Sequence, residues 1–388
     1  MSPRSPILAI NSGSSTLKFG LFSEAGGEER AHAKGSADGI GKDTGKLEIL
    51  DGEGKTLRSE HKKYGSQNDA LSEVAGALSS LGIAQPVAVG HRMVHGGPKL
   101  REHIRITPEV MQTLESAIHF APLHIPTSLE LIRGTEKIYP ELPQFACFDT
   151  AFHQTMPEKA YHYPLPEKYL EQGVRRYGFH GLSYASIVHQ LGSELKARTV
   201  VAHLGNGASL AAIRDGKSVD TSMGMTPTGG IPMGTRTGDL DPGVLLYILR
   251  TERPNANSLE TMLNHQSGLA ALGGTSDMRD LQKSAANGEH AAELAIDVFC
   301  TAVAKTVAAY AVSLGGLEML VFSGGIGERS AQVRAGVCGQ LGVLGVDLDA
   351  ERNDASGRIL SSGTSRVEVR VVPAQEEIQI AREVRARL

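Results

Sequence analysis

The chain has 388 residues, a length that predicts two domains with separate cores. It is 40% hydrophobic and 21% charged with a net charge of −4, and it has no run of lysine or arginine, so nucleic acid and membranes are not expected as partners. Its three cysteines have no metal-ligand spacing and fit a reducing compartment, which predicts a cytoplasmic protein.

The first predicted elements are two strands between residues 7 and 22, joined by a turn of small polar residues. This turn, Asn-Ser-Gly-Ser-Ser-Thr-Leu-Lys at 11–18, offers backbone N–H groups, several hydroxyls, the amide of Asn11 and the ammonium of Lys18. Such a set suits phosphate and a phosphate-bound cation. Residues 24–64 are polar and glycine-rich, and predict surface strands or hairpins.

Residues 68–148 follow with alternating helices and strands. We predict a helix at 68–81 capped by Asn68, a strand at 86–90, a helix at 107–120 and a strand at 144–148. Arg92 follows the first of these strands and could bind an anionic substrate with two N–H groups, or lie on the surface. Asp149 follows the second strand and could hold a metal, orient a nucleophile or cap a helix.

The second half of the chain repeats the opening pattern. After a predicted helix at 183–192, residues 199–213 form a second strand–turn–strand, in which His203 aligns with Asn11 and Gly205 with Gly13. A glycine turn between strands, repeated at half the chain length, predicts a duplicated nucleotide-binding domain with a cleft between the halves. His180, between aromatic and glycine neighbours, is either a fixed functional ring or a core histidine.

The remaining elements complete an α/β pattern. A long glycine- and proline-rich loop at 223–243 carries Arg236, whose setting is typical of an arginine that stabilises a transferring phosphoryl group. A buried helix at 289–314, a strand at 318–323, a tight loop at 324–328, a helix at 330–341, a strand at 367–372 and a helix at 376–388 follow. The loop at 324–328 is a possible nucleotide loop or a structural turn, and no Rossmann, P-loop or protein-kinase signature is present.

Together these segments resemble the acetate kinase family over residues 7–382. The resemblance rests on the motifs at 11–18, 147–153, 177–181, 203–207, 234–236, 276–280, 324–328 and 376–377. It implies two duplicated RNase H-like, actin-like ATPase domains with an active-site cleft between them, one at 1–150 completed by the helix at 377–388 and the other at 151–376. It also implies a homodimer and reversible phosphoryl transfer from ATP to acetate with Mg²⁺, giving acetyl phosphate and ADP.

The resemblance also implies roles for individual residues. Asp149, His180 and Arg236 would be catalytic, and Asn11 and Glu376 would lie at the metal. Arg92 would hold the acetate carboxylate, and the pocket for its methyl group would be lined by Val94, Leu123, Phe179 and Pro227. The nucleotide would be bound by Lys18, His203, Leu204, Gly205, Asn206, Gly207, Asp277, Met278, Arg279, Gly324, Gly325, Ile326, Gly327 and Glu328.

Two segments depart from the family pattern near these residues. The chain has Leu182-Ser183-Tyr184 where Thr-Ser-His is common, and Pro-Thr-Gly-Gly-Ile at 227–231 where Pro-Leu-Glu-Gly-Leu is common. These changes bear on acyl preference, so a propionate or butyrate kinase is the alternative within the class. An Hsp70- or actin-like ATPase switch is the alternative from another class, because it shares the nucleotide loops but needs no carboxylate site.

Overall fold

The structure, a computed structural model, describes residues 5–13, 15–122 and 124–388. The strands are β1 (Ile7–Ser12), β2 (Thr16–Ala25), β3 (Glu28–Asp38), β4 (Lys46–Asp51), β5 (Thr56–His61), β6 (Ala88–Met93), β7 (Ile104–Arg105), β8 (Gln144–Phe148), β9 (Arg198–Leu204), β10 (Ala208–Arg214), β11 (Lys217–Thr221), β12 (Met319–Ser323) and β13 (Glu368–Val371). The α-helices are α1 (Gln67–Ser80), α2 (Pro108–Ser116), α3 (Ile125–Ile138), α4 (Glu158–Tyr161), α5 (Glu167–Glu171), α6 (Gly181–Leu191), α7 (Pro242–Thr251), α8 (Ala256–His265), α9 (Gly268–Gly273), α10 (Met278–Ala286), α11 (His290–Leu314), α12 (Gly324–Arg329), α13 (Ala331–Cys338), α14 (Ala350–Asp354) and α15 (Glu376–Arg385).

The chain divides into two compact units. Unit 1 holds the described residues as far as Ala151, together with Gly181–Ser186 and Gln375–Leu388. Unit 2 holds Phe152–His180 and Ile187–Ala374. The sequence predicts boundaries at residues 150 and 376, and the structure groups Gly181–Ser186 with unit 1 as well.

Unit 1 is built on a mixed sheet in the order β5-β4-β3-β2-β1-β6-β8-β7. The side chains of β1 alternate between two cores, as the two-residue period of a strand requires. Leu8 and Ile10 pack with side chains of α1 and α3, and Ile7 and Ala9 pack with side chains of α15. A Cβ on Gly90 would lie 2.5 Å from Ile380, so the glycine lets α15 approach β6 closely.

Unit 2 repeats the central part of this sheet. Its order is β11-β10-β9-β12-β13, with β10 antiparallel to β9 and β11, and β12 parallel to β9 and β13. In unit 1, β2 is antiparallel to β1 and β3, and β6 is parallel to β1 and β8. The same strand order and directions recur, which confirms the α/β class and the duplication predicted from the repeated glycine turn.

The helix α11 fills the core of unit 2. It packs against β9 and β10, and its neighbours are α9, α10 and α13. By length and composition alone it is the one helix among the described residues that could cross a membrane, and half of its most apolar window is buried inside the protein. Phe299, Val303 and Val307 are among its fully buried side chains, as the sequence predicts for a core helix.

Two local predictions are wrong. The cap of α1 is Ser66, whose side chain accepts a hydrogen bond from the Asp69 N–H, and Asn68 lies inside the first turn. The segment at 324–328 is not a loop but part of the short helix α12. Its glycines disfavour a helix in isolation, yet tertiary contacts hold one here, because the Arg334 guanidinium donates to the carbonyls of Gly327 and Glu328.

Candidate functional site

Three parallel strands of unit 1 bring three predicted residues to one edge of the sheet. Asn11 lies near the end of β1, Arg92 near the end of β6, and Asp149 directly after β8. The residues two positions earlier are Ala9, Gly90 and Cys147, which all lie on the face covered by α15. Because strand side chains alternate and parallel strands end at one edge, the three polar groups meet there.

Arg92 is the centre of this group. Its Nε and Nη2 donate to the two carboxylate oxygens of Asp149 at 3.0 and 2.6 Å, a bidentate pair. Its Nη1 donates to the Asn11 side-chain oxygen at 2.9 Å and lies 3.6 Å from a carboxylate oxygen of Glu376. The Asp149 side chain is only 1% exposed, so this ion pair is largely withdrawn from water.

The first turn of α15 supplies two carboxylates to the same place. The Asn11 amide donates to Glu376 at 2.9 Å and to Glu377 at 2.7 Å. We call these five residues, Asn11, Arg92, Asp149, Glu376 and Glu377, the Arg92 cluster. Carboxylates in a first turn are also favoured by the helix dipole.

The charges of the Arg92 cluster fix the state of its guanidinium. Burial would lower the pKa of Arg92, but the neighbouring charges of Asp149 and Glu376 outweigh burial and raise the pKa above its ordinary value. Arg92 is therefore protonated at any working pH. The cluster has three carboxylates and one guanidinium, which leaves it with net negative charge.

A second group, in unit 2, assembles around Gly207. His180 stacks on His203 with ring centroids 4.4 Å apart, and its Nδ1 lies 2.8 Å from the Ser209 hydroxyl. A Cβ on Gly207 would lie 3.5 Å from His180 Nε2 and 3.4 Å from Arg236 Nη1. We call His180, His203, Gly207, Ser209 and Arg236 the His180 cluster.

Backbone strain accompanies the His180 cluster. His180 has a φ of 58°, in the left-handed region that non-glycine residues rarely adopt, immediately before α6. Such strain costs about 1–3 kcal/mol and concentrates at functional sites. The position of the His180 ring is therefore maintained by its surroundings against a local backbone preference.

The long loop between β11 and α7 holds Arg236 within unit 2. The Gly234 N–H donates to the Asn206 carbonyl at 3.0 Å, which ties the loop to the glycine turn after β9. Arg236 Nη1 donates to the Pro227 carbonyl at 3.1 Å, so the loop also braces its own arginine. Gly234 packs closely on the same turn, since a Cβ there would lie 2.1 Å from the Asn206 side-chain oxygen and would displace that side chain.

The other predicted nucleotide residues lie in three settings. Lys18 is exposed on β2 and is the cross-strand partner of Asn11. Gly324 begins α12 with a φ of 74°, and its N–H donates to the Glu328 carboxylate at 3.0 Å. Asp277 caps α10 and pairs with the exposed Arg279, whose hydrogen bond lowers the pKa of Asp277 to about 2.

The predicted acyl-pocket residues are divided between the units. Val94 is half-buried in unit 1, directly after β6. Phe179 and Pro227 belong to unit 2, where Phe179 is 1% exposed and its carbonyl lies 3.0 Å from His153 Nε2. Leu123 lies outside the described residues.

The sequence did not single out two contacts of these clusters. In the sequence Glu377 is noted only as the neighbour of Glu376. Both carboxylates lie beside Asn11 because the N-terminus of α15 faces the end of β1. Ser209 could have been found from the spacing in the sequence. It lies two residues after the glycine turn at 205–207 and His203 lies two residues before it, so the two become cross-strand partners when β9 pairs with β10.

Comparison with known proteins gives the family. A family model described as the Acetokinase family matches residues 6–382. The chain belongs to the acetokinase family. Among its relatives, the acetate kinase of Dichelobacter nodosus is 43% identical over 97% of both chains, and that of Deinococcus radiodurans is 44% identical over 97% of this chain and 96% of its own.

Solved structures of acetate and propionate kinases have the same fold as this chain. A propionate kinase from Francisella tularensis matches with a TM-score of 0.90 and 38% identity over 98% of both chains. The acetate kinase of Porphyromonas gingivalis matches with a TM-score of 0.86 and 37% identity over 98% of this chain and 99% of its own. The resemblance and the fold class predicted from the sequence motifs are therefore confirmed.

Proposed function

We propose that the chain is an acetate kinase that transfers the γ-phosphoryl group of ATP reversibly to acetate. The observation that carries this proposal is the convergence of His180 and Arg236 on Gly207, in a chain of the acetokinase family. These side chains place hydrogen-bond donors and positive charge beside a glycine turn suited to phosphate. The ATPase-switch alternative does not explain why His180 and Arg236 occur together with Arg92, because a switch needs no carboxylate site.

The obstacle to this reaction is charge rather than proton removal. Acetate is already an anionic nucleophile, and it must approach a polyanion in line with the bond that breaks. Catalysis of such a step rests on positioning and on electrostatic stabilisation. We assign Arg92 to the acetate carboxylate, and His180 and Arg236 to the charge that spreads over the transferring phosphoryl oxygens.

In this scheme Asp149 acts through Arg92. Its carboxylate accepts both N–H groups on one side of the guanidinium, so it fixes the plane of Arg92. We therefore propose that it holds the arginine in the orientation that receives the substrate, rather than removing a proton. The methyl group of acetate is assigned to Val94, Leu123, Phe179 and Pro227, as the resemblance implies.

We assign the nucleotide to Lys18, the turn at 203–207, residues 277–279 and residues 324–328. Lys18 is exposed, as a lysine that reaches a phosphate must be, and the glycine turn supplies backbone N–H groups. Gly324 lets the chain turn sharply from β12 into α12, which suits close approach of a ligand to the backbone.

The Arg92 cluster fits Mg²⁺ as part of this proposal. Its excess of carboxylates favours a divalent cation, and Mg²⁺ in phosphoryl-transfer sites takes one or two protein carboxylates together with phosphates and waters. Among the described residues no group of three His, Cys, Asp or Glu side chains could hold a metal by itself, so substrate phosphates and waters would have to supply most of the ligands. We assign Glu376 and Asn11 to the ion, which when bound would neutralise phosphate charge.

Trapping the product with hydroxylamine tests the activity and its acyl preference together. With ATP and Mg²⁺ we expect acetyl phosphate from acetate, less product from propionate and little from butyrate. One methylene in a small apolar pocket is worth about 1–3 kcal/mol, which corresponds to about 10–200-fold in kcat/KM. The measurement is kcat/KM for each carboxylate, with ATP hydrolysis in the absence of carboxylate as the baseline.

Two outcomes contradict the proposal in different ways. A kcat/KM for propionate or butyrate that equals or exceeds the value for acetate would contradict the assignment to acetate and support a propionate or butyrate kinase. ATP hydrolysis that no short carboxylate changes would support an ATPase switch.

We also propose that the chain forms a homodimer through α7. The run Val-Leu-Leu-Tyr-Ile-Leu at 244–249 covers the whole circumference of this helix, yet none of its residues is buried, and Tyr247 is 66% exposed. A helix that is apolar all round is normally covered. Asp241 stands at its start and Arg250 near its end, so two antiparallel copies would pair opposite charges around a two-fold axis.

Replacing Tyr247 by glutamate is expected to convert the dimer to monomers. The residue lies near the middle of α7, so in an antiparallel pair the introduced charges would face each other in an apolar contact. Light scattering after size-exclusion chromatography measures the mass. The matched control is Val312→Glu on α11, where the native side chain is 83% exposed. A Tyr247→Glu protein that stays dimeric, or a monomeric parent, would rule out this interface.

The cysteines support a cytoplasmic location as a proposal. Cys147, Cys300 and Cys338 are buried and unpaired by disulfides. Burial raises the pKa of the Cys300 and Cys338 thiols to about 12, so they are protonated and unreactive. Thiols that form no disulfide fit a reducing compartment such as the cytoplasm.

A further inference from the structure

Ser209 lies beside the ring of His180 and has no role in the scheme above. It is fully buried on β10, and its hydroxyl oxygen is 2.8 Å from His180 Nδ1. It is also the cross-strand partner of His203 on β9. A single cross-strand pair therefore contacts His180 twice, with His203 against the ring face and Ser209 against the ring edge.

These two contacts determine where the other ring nitrogen points. Nδ1 and Nε2 lie on opposite sides of an imidazole, so a hydrogen bond at Nδ1 directs Nε2 away from Ser209. In the structure Nε2 faces Gly207, on the same side as Arg236 Nη1. Because the backbone of His180 is strained, the ring depends on such side-chain contacts for its orientation.

We infer that Ser209 is a positioning residue that holds Nε2 of His180 as a hydrogen-bond donor toward the transferring phosphoryl group. This inference rests on the proposed function. A hydroxyl can donate or accept. On this inference it donates to Nδ1 of the neutral ring, which selects the Nε2–H tautomer over the Nδ1–H form from which it would accept. It accepts from Nδ1 of the imidazolium, which also carries a proton on Nε2. Ser209 thus keeps Nε2–H in place in both protonation states.

The first test is spectroscopic and needs no activity. In protein labelled with ¹⁵N-histidine, the ring of His180 is assigned by its loss in His180→Gln, and two-bond ¹H–¹⁵N correlations report its tautomer. We expect the Nε2–H form in the parent chain and a mixture of tautomers in Ser209→Ala. Ser209→Thr keeps the hydroxyl and is expected to restore the Nε2–H form.

The second test is kinetic. Ser209→Ala is expected to lower kcat about 10–100-fold, as for loss of an orienting contact, with KM values for ATP and acetate within about threefold. In a His180→Ala background the same substitution should change kcat no further, because the two residues act as one unit. Ser218→Ala is the matched control, since Ser218 is equally buried and its hydroxyl lies 2.8 Å from His153 Nδ1.

The outcomes separate this inference from the proposed function. If the parent chain forms no acyl phosphate, the proposed function fails, and the tautomer measurement still decides whether Ser209 fixes the ring. An unchanged tautomer in Ser209→Ala overturns the inference whatever the rate. It is also overturned if kcat is unchanged in Ser209→Ala, or if Ser218→Ala lowers kcat to the same extent.

Discussion

Replacing Arg236 by alanine is expected to lower kcat by about 10²–10⁴-fold, the range for loss of one charge-stabilising donor or arginine finger. The guanidinium lies beside Gly207 together with His180 Nε2, where it can meet charge that develops on the phosphoryl oxygens. That charge is larger in the transition state than in bound ATP. KM for acetate should therefore change little, since the lost interaction is specific to the transition state.

Steady-state kinetics with acetate and ATP varied separately would measure this effect. Arg214→Ala is a suitable control, because it removes an exposed arginine from the same unit. Arg236→Lys keeps the charge but not the planar fork, and we expect it to recover only part of the lost rate. A folded Arg236→Ala protein with near-normal kcat would exclude Arg236 from the phosphoryl step.

Replacing Arg92 by alanine is expected to raise KM for acetate strongly and also to destabilise unit 1. Loss of hydrogen bonds to a charged group costs about 1.5–3 kcal/mol each, which corresponds to a rise of at least about 10-fold in KM. The second effect comes from Asp149, whose buried carboxylate loses its bidentate partner. Breaking a buried ion pair from one side costs about 3–5 kcal/mol.

The two effects can be separated with Asp149. In the double variant Arg92→Ala/Asp149→Ala no buried carboxylate is left without its guanidinium, so the thermal midpoint should rise above that of Arg92→Ala alone. KM for acetate should stay high, because the group that holds the substrate is still missing. A double variant that recovers a normal KM would mean that Arg92 serves only to neutralise Asp149.

Several candidate site residues could be selected from the sequence because they stand at the ends of apolar strands. Arg92 lies near the end of one buried strand and Asp149 directly after another, and parallel strands end at a common edge. The sequence thus indicated which side chains could meet. It did not specify Arg92 as the bidentate partner of Asp149, since no local rule joins residues so far apart in the chain.

The prediction for residues 324–328 was wrong for a related reason. Glycine has low helix propensity, so the segment looks like a loop when it is considered alone. The helix α12 exists because Arg334, fully buried, donates to two of its last carbonyls, and because Glu328 accepts from the N–H of Gly324. Hydrogen bonds from Arg334 on α13, together with the one inside α12, outweigh the local preference.

The sequence by itself determined the α/β class, the duplication and the family. Strand periodicity and glycine turns are local properties of the chain, and the order of the motifs is read directly along it. Only the tertiary structure decided that Glu377 joins Asn11 and that Ser209 and His203 both contact the ring of His180. The first contact depends on how α15 packs on the sheet, and the second on the register of β9 and β10. Packing and register are set by interactions between distant segments, which no single stretch of sequence contains.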